Sequence, residues 1–73
     1  MALRQYPQAL DDFNHAIQID PNEALYFKNR ANVLRFLEQY DRAISDYHRA
    51  LILRTDPIIK REVETGLREL GAL

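Results

Sequence analysis

The sequence repeats after 34 residues, and this internal repeat constrains the fold more than any other feature of the chain. A shift of 34 positions places six residues on identical ones: Leu3, Gln5, Tyr6, Ala9, Asp12 and Ala16 fall on Leu37, Gln39, Tyr40, Ala43, Asp46 and Ala50. The same register pairs Phe13 with Tyr47 and Ile17 with Leu51. A period of this length corresponds to one supersecondary unit, so we expect a repeat architecture.

Apolar residues within and between the two copies recur every three or four positions, which is the spacing of one helical face. Four such stripes run through Tyr6, Leu10, Phe13 and Ile17, through Phe27, Ala31 and Leu34, through Ala43, Tyr47 and Leu51, and through Ile59, Val63, Leu67 and Leu70. Asp56 and Pro57 are a typical helix start, and Gly71 is suited to end the last helix. The sequence therefore predicts an all-α fold of four helices, in which Gly66 costs the last helix roughly 1 kcal/mol relative to Ala.

Composition excludes several classes of function. The chain has 73 residues, enough for one small domain, and its ten Lys and Arg against eleven Asp and Glu give a formal charge of -1. That balance lacks the positive field on which sequence-independent nucleic-acid binding relies. With no cysteine and two histidines, neither a disulfide framework nor a thiolate metal site is possible. We expect no metal, no cofactor and no nucleic-acid partner.

No motif of nucleophilic or metal-assisted catalysis occurs in the sequence, so we expect a protein that is not an enzyme. His15 and His48 do not occupy equivalent positions of the two copies, and both are interpreted as exposed helix residues. The longest apolar runs are three or four residues, too short for a membrane span or a signal-peptide core. The expectation is a soluble cytoplasmic protein with no membrane partner.

The 34-residue helix pair resembles the tetratricopeptide repeat, an α-solenoid family of antiparallel helix pairs called A and B. The first half of the family pattern has a tryptophan, a small residue and a tyrosine, and the second half has Ala, Phe, Ala and a closing proline. In this sequence the first half corresponds to Phe27, Ala31 and Leu34. The second half corresponds to Ala9, Phe13, Ala16 and Pro21. Arg30 stands where the family has leucine. The alternative is an unrelated antiparallel helical bundle, which agrees less well with the period and the positions of the small residues.

The resemblance implies a single domain of three parts. Residues 1–21 correspond to the second half of a repeat, residues 22–56 to a full repeat and residues 57–73 to a C-terminal cap helix. The first copy therefore lacks an A helix to cover its B helix. We expect Tyr6, Leu10, Phe13 and Ile17 to mediate self-association, in a homo-oligomer or in a longer array from which this chain is a fragment.

The turn between the second and third helices leaves two structures open. It contains no glycine, and neither Gly nor Pro occurs from Asn22 to Asp56, while the apolar spacing continues through the turn. A bent hairpin is favoured by the family resemblance, but one long helix is also sterically permitted. Opening of the hairpin would allow two chains to exchange halves in a domain-swapped dimer.

Members of the resembling family bind proteins on the inner wall formed by their A helices. By that resemblance the peptide-binding residues here are Leu25, Lys28, Asn29, Asn32, Arg35 and Phe36. Cations and amides of this kind suit the carboxylates and the backbone of an extended peptide. The leading hypothesis is thus a protein-interaction module that binds a peptide or helix. The alternatives are a structural unit for self-assembly and, third, a helical-repeat RNA-binding protein.

Overall fold

The computed structural model describes residues 6–53 and 56–73, which form four α-helices and, within these ranges, no strand. The helices are α1 (Tyr6–Ile19), α2 (Ala24–Phe36), α3 (Tyr40–Ile52) and α4 (Pro57–Glu69). The predicted all-α fold of four helices is confirmed. Leu3 and Gln5, which contribute to the sequence repeat, lie outside the described residues.

Helix α2 lies at the centre of the arrangement. It packs against α1, α3 and α4, and α3 packs in addition against α4. Within the described ranges, α1 contacts only α2. Short connections between consecutive helices produce side-by-side helix pairs, the tetratricopeptide-like arrangement that the sequence predicts.

The connection between α2 and α3 is a tight turn, so residues 24–52 form a hairpin and not one long helix. The amide of Gln39 donates to the carbonyl of Leu34 and the amide of Glu38 to that of Arg35, both at 2.9 Å. These two hydrogen bonds define a Schellman motif, which requires a left-handed residue after the helix cap. Glu38 takes that conformation with φ of 61°, although glycine is the usual residue there. Domain swapping stays a prediction.

Helix α4 begins and ends where the sequence predicts. The Asp56 carboxylate accepts a hydrogen bond from the amide of Ile59 at 2.9 Å, and Pro57 occupies the first helical turn. At the other end Gly71 has φ of 72°, and the amide of Ala72 donates to the carbonyl of Leu67. Thus α4 closes with the same Schellman motif as α2, but with glycine at the left-handed position.

The core lies between α2, α3 and α4. Its buried residues are Ala24, Phe27, Ala31 and Leu34 of α2, Ala43, Tyr47 and Ala50 of α3, and Val63 and Leu67 of α4. The apolar stripes predicted for the last three helices lie in this core, except that Leu51, Ile59 and Leu70 are only partly buried against it. Helix α1 contributes no buried residue, and its Leu10 and Ile17 pack against the edge of this core.

Gly66 explains how closely α4 approaches α3. A Cβ atom built on Gly66 would lie 2.7 Å from Cζ of the Tyr47 ring, closer than nonbonded carbon atoms can approach. The glycine that weakens helix propensity is therefore the residue that makes room for the largest fully buried side chain of the protein. In the part of the chain that the structure describes, no helix has the length and apolar character needed to cross a membrane.

Candidate functional site

Two adjoining grooves run along the surface of α2 and include four of the six predicted peptide-binding residues. The inner groove, between α2 and α4, is lined by Lys28, Asn32 and Arg35 of α2 and by Arg61, Glu62 and Glu69 of α4. The end groove, at the α2–α3 turn, is lined by Arg35, Phe36, Tyr40, Ile44, Glu69 and Leu70 and has a volume of about 930 Å³. Leu25 and Asn29, the other two predicted residues, line neither groove.

The two cations that α2 contributes to the inner groove, Lys28 and Arg35, are paired with carboxylates of α4. Lys28 Nζ lies 2.8 Å from Glu62 Oε1, and an Nη atom of Arg35 lies 2.7 Å from Glu69 Oε1. The pKa of Arg35 is raised by its contact with the Tyr47 hydroxyl and, next, by the Glu69 carboxylate. More than half of each glutamate side chain is exposed to solvent. Ion pairs exposed to this extent contribute about 0–1 kcal/mol to stability.

Asn32 is held in a fixed orientation between the two cations. Its side-chain oxygen accepts a hydrogen bond from the hydroxyl of Tyr47, whose ring is buried against Gly66. An amide that accepts through its oxygen still has two N–H donors on its nitrogen. Asn32 also lines both grooves.

The end groove is mainly apolar and exposed. Phe36 is 67% exposed and Tyr40 is 47% exposed. The ring of Phe36 stacks on that of Tyr6 with 5.3 Å between centroids and 19° between planes. A residue predicted to bind peptide and one predicted to mediate self-association therefore form one aromatic pair that joins α1 to α2.

Arg30 connects three helices and was not among the residues that the sequence singled out as functional. Its guanidinium donates two hydrogen bonds to the Asp46 carboxylate of α3, at 2.7 and 2.8 Å, and one to Asn14 of α1 at 2.8 Å. It also lies 5.5 Å from the centroid of the Phe27 ring. The hydrogen bonds to Asp46 raise the pKa of Arg30.

The pairing with Arg30 supplies the reason for two sequence features. Arg30 replaces the leucine of the resembling family because it has a buried carboxylate to bind, and Asp46 is buried because the guanidinium satisfies both its oxygens. Two features of the sequence were the available signal for this ion pair. Asp46 is identical to Asp12 in the repeat, and Arg30 stands at a position that is apolar in the resembling family.

The four residues predicted to mediate self-association lie on α1, where no side chain is fully buried. Tyr6, Leu10, Phe13 and Ile17 are all half-buried, with Leu10 and Ile17 turned towards the core. His15 and His48 are exposed. Among residues 6–53 and 56–73, no three His, Asp or Glu side chains are close enough together to hold a metal ion.

Curated proteins that contain tetratricopeptide repeats are similar to this chain. The Small glutamine-rich tetratricopeptide repeat-containing protein 2 of Saccharomyces cerevisiae is 35% identical over 51 residues, 70% of this chain and 15% of the relative. The protein of the same name from Mycosarcoma maydis is 36% identical over 50 residues, 68% of this chain and 14% of the relative.

A third relative covers the whole chain. The DnaJ protein P58IPK homolog B of Oryza sativa subsp. japonica is 32% identical over 74 residues, 100% of this chain and 16% of the relative. The chain thus spans between 14% and 16% of the length of these relatives. No family model matches the chain, and no solved structure gives a significant match.

Proposed function

The chain is a tetratricopeptide-like helical repeat, and on that premise we propose that it is a non-enzymatic protein-interaction module that binds a peptide along α2. The observation that carries this proposal is the inner groove, where Lys28, Asn32 and Arg35 present two cations and an amide on one side of α2. Neither a cofactor nor a metal is part of the proposal. The names of the relatives support a role in protein interaction.

The proposed ligand is an extended peptide with acidic groups. Its carboxylates would take the places of Glu62 and Glu69 beside Lys28 and Arg35, while Asn32 donates to its backbone. An apolar side chain of the same peptide would continue into the end groove and contact Phe36. Leu25 and Asn29 lie outside both grooves and would contact only a ligand that extends beyond them.

Two opposite double substitutions test this proposal on a peptide selected from a random display library against the whole chain. Replacement of Lys28 and Arg35 with Gln should weaken binding about tenfold, because the charge-assisted hydrogen bonds to the peptide are lost. Replacement of Glu62 and Glu69 with Gln should strengthen binding about threefold, because the two internal competitors are removed. Isothermal titration calorimetry measures both effects.

Replacement of Arg42 and Arg49 with Gln is the matched control, since it removes two exposed cations from α3, on another part of the surface. That variant should change the dissociation constant less than about twofold. Equal weakening in the control and in the Lys28 and Arg35 variant would mean that only net charge matters, and the proposal would be wrong. Selection that enriches no peptide would also refute it.

A structural role is the second candidate, because α1 is the helix without a buried residue. In this role Phe13 and its neighbours on α1 would pack against a helix of another repeat or another copy. The proposed division of the chain agrees with this, since residues 1–21 would be a half repeat, 22–56 a full repeat and 57–73 a cap. Phe13→Asp should then abolish association, seen by sedimentation, without loss of helical content.

A further inference from the structure

The end groove is lined by two kinds of residue, and all of them belong to α2, to α3 or to the end of α4. Phe36, Ile44 and Leu70 give it an apolar surface. Tyr40 and Asp41 are the first two residues of α3, and they also line a second cavity at the α2–α3 turn. The groove therefore offers apolar contacts together with an exposed aromatic ring and a carboxylate.

The charges that line the end groove are unequal. Its cation, Arg35, is already paired with Glu69 at 2.7 Å. Asp41 is a second carboxylate, it is exposed, and it takes part in none of the ion pairs formed within residues 6–53 and 56–73. The neighbouring cation, Arg42, is hydrogen-bonded to Gln39 instead. The first turn of α3 suits the charge of Asp41, but the groove as a whole is complementary to a ligand that supplies a cation.

A ligand carboxylate that takes the place of Glu69 beside Arg35, as the proposed function requires, would increase this imbalance. Glu69 lines both grooves, so its displaced carboxylate would remain beside the end groove without a cation. A positive group on the same ligand would then pair with the carboxylates of the end groove. A ligand with both an acidic and a basic group thus exchanges an ion pair of the protein and does not simply break it.

We propose that the end groove binds an arginine, which the ligand carries next to the apolar side chain that contacts Phe36. The guanidinium would pair with the Asp41 carboxylate and lie against the exposed ring of Tyr40. Arginine suits both contacts better than lysine, because its planar group stacks on aromatic rings and donates two parallel hydrogen bonds to a carboxylate. The partner is therefore a peptide whose acidic groups are followed by an apolar residue and an arginine. The inference rests on the proposed function for the acidic groups, but the arginine site can be measured by itself.

The probe for this measurement is the dipeptide acetyl-leucyl-arginine amide, which has no acidic group and therefore reports on the end groove alone. In an NMR titration of the isotope-labelled whole chain, the amide signals of Phe36, Tyr40 and Ile44 should shift in a saturable manner. Acetyl-leucyl-citrulline amide has nearly the same shape without the charge. It should bind about fivefold more weakly, because the ion pair and the cation–π contact are both lost.

Substitutions in the chain locate the contact. Asp41→Asn should weaken binding of the arginine probe about threefold and change binding of the citrulline probe less than about twofold. Asp11→Asn is the matched control, since Asp11 is an exposed carboxylate of α1 that lines neither groove, and it should change the binding of both probes less than about twofold. Glu69→Gln should weaken the arginine probe about twofold, because Arg35 is then left without its carboxylate in the end groove.

The outcomes separate this inference from the proposed function. Absence of a saturable shift with the arginine probe, equal affinity of the two probes, or equal effects of Asp41→Asn and Asp11→Asn would each overturn the arginine site. Lys28→Gln should leave binding of the arginine probe unchanged, because Lys28 lines the inner groove and not the end groove. Saturable binding of the arginine probe would support the arginine site even if the selection described above enriched no acidic peptide, which would refute the proposed function alone.

Discussion

Helices α1 and α3 are two copies of one sequence pattern in two different environments. Helix α3 is covered by α2 on one side and by α4 on the other, and four of its residues are buried. Among the described residues, α1 is covered by α2 alone and has no buried residue. The pattern of small, acidic and aromatic residues therefore specifies the helix and its packing face, whereas the amount of stability drawn from that face depends on the neighbouring helices.

The largest difference between the copies should appear at their shared aromatic position. Tyr47 is 1% exposed at the centre of the core, and Tyr47→Ala should lower the free energy of unfolding by about 3–5 kcal/mol. Phe13 occupies the same position in α1 but is half-buried, so Phe13→Ala should cost about 1 kcal/mol. Urea denaturation followed by circular dichroism measures both values.

Equal losses in the two variants would contradict the comparison, since they would mean that the face of α1 is buried in solution. That result would be expected if a second chain covered α1, and the unfolding midpoint would then rise with protein concentration. Unequal losses of unfolding free energy, together with an unfolding midpoint that is independent of protein concentration, would show that α1 is less buried than α3 in the single chain.

The packing of α4 against α3 depends on Gly66, and replacement of Gly66 tests how tightly these two helices fit. Helix propensity alone predicts that Gly66→Ala gains about 1 kcal/mol. We expect the opposite sign, a loss of about 1–3 kcal/mol, because the new Cβ would overlap the Tyr47 ring at 2.7 Å. Thr65→Ala is the control on the exposed side of the same helix, and it should change the free energy of unfolding by less than about 0.5 kcal/mol.

Periodicity and the internal repeat were sufficient to predict the helices and most of the core. The apolar stripe through Phe27, Ala31 and Leu34 and the one through Val63 and Leu67 are buried as the spacing predicts. Such patterns are reliable because burial of an apolar face is the main source of helix stability in a small protein.

Contacts between side chains from distant positions could not be predicted in the same way. The cations Lys28 and Arg35 were expected to face a ligand, yet each has an internal carboxylate partner 34 residues further on, Glu62 or Glu69. A pattern of one helix contains no information about which residues of another helix come within 3 Å. The opposite charges at equivalent positions of successive A-type helices were the available signal, and they become meaningful only when α4 is placed beside α2.

Substitution in the turn between α2 and α3 should have the smallest of these effects on the free energy of unfolding. Its sign is opposite, because the substitution should stabilise the protein. Glu38 is held at φ of 61°, a conformation that costs a residue with a Cβ about 1 kcal/mol, while Gly71 fills the equivalent position after α4 at little cost. Glu38→Gly should therefore raise the free energy of unfolding by somewhat less than about 1 kcal/mol, since glycine also adds freedom to the unfolded chain. Gly71→Ala should lower the free energy of unfolding by about 1 kcal/mol for the converse reason.

Thermal and urea unfolding of the two variants measure these effects. A destabilised Glu38→Gly variant would contradict this account, because the hairpin would then depend on the glutamate side chain and not on the Schellman geometry. A stabilised Glu38→Gly variant would instead show that α3 owes its cover by α2 to a turn whose strain the core already overcomes.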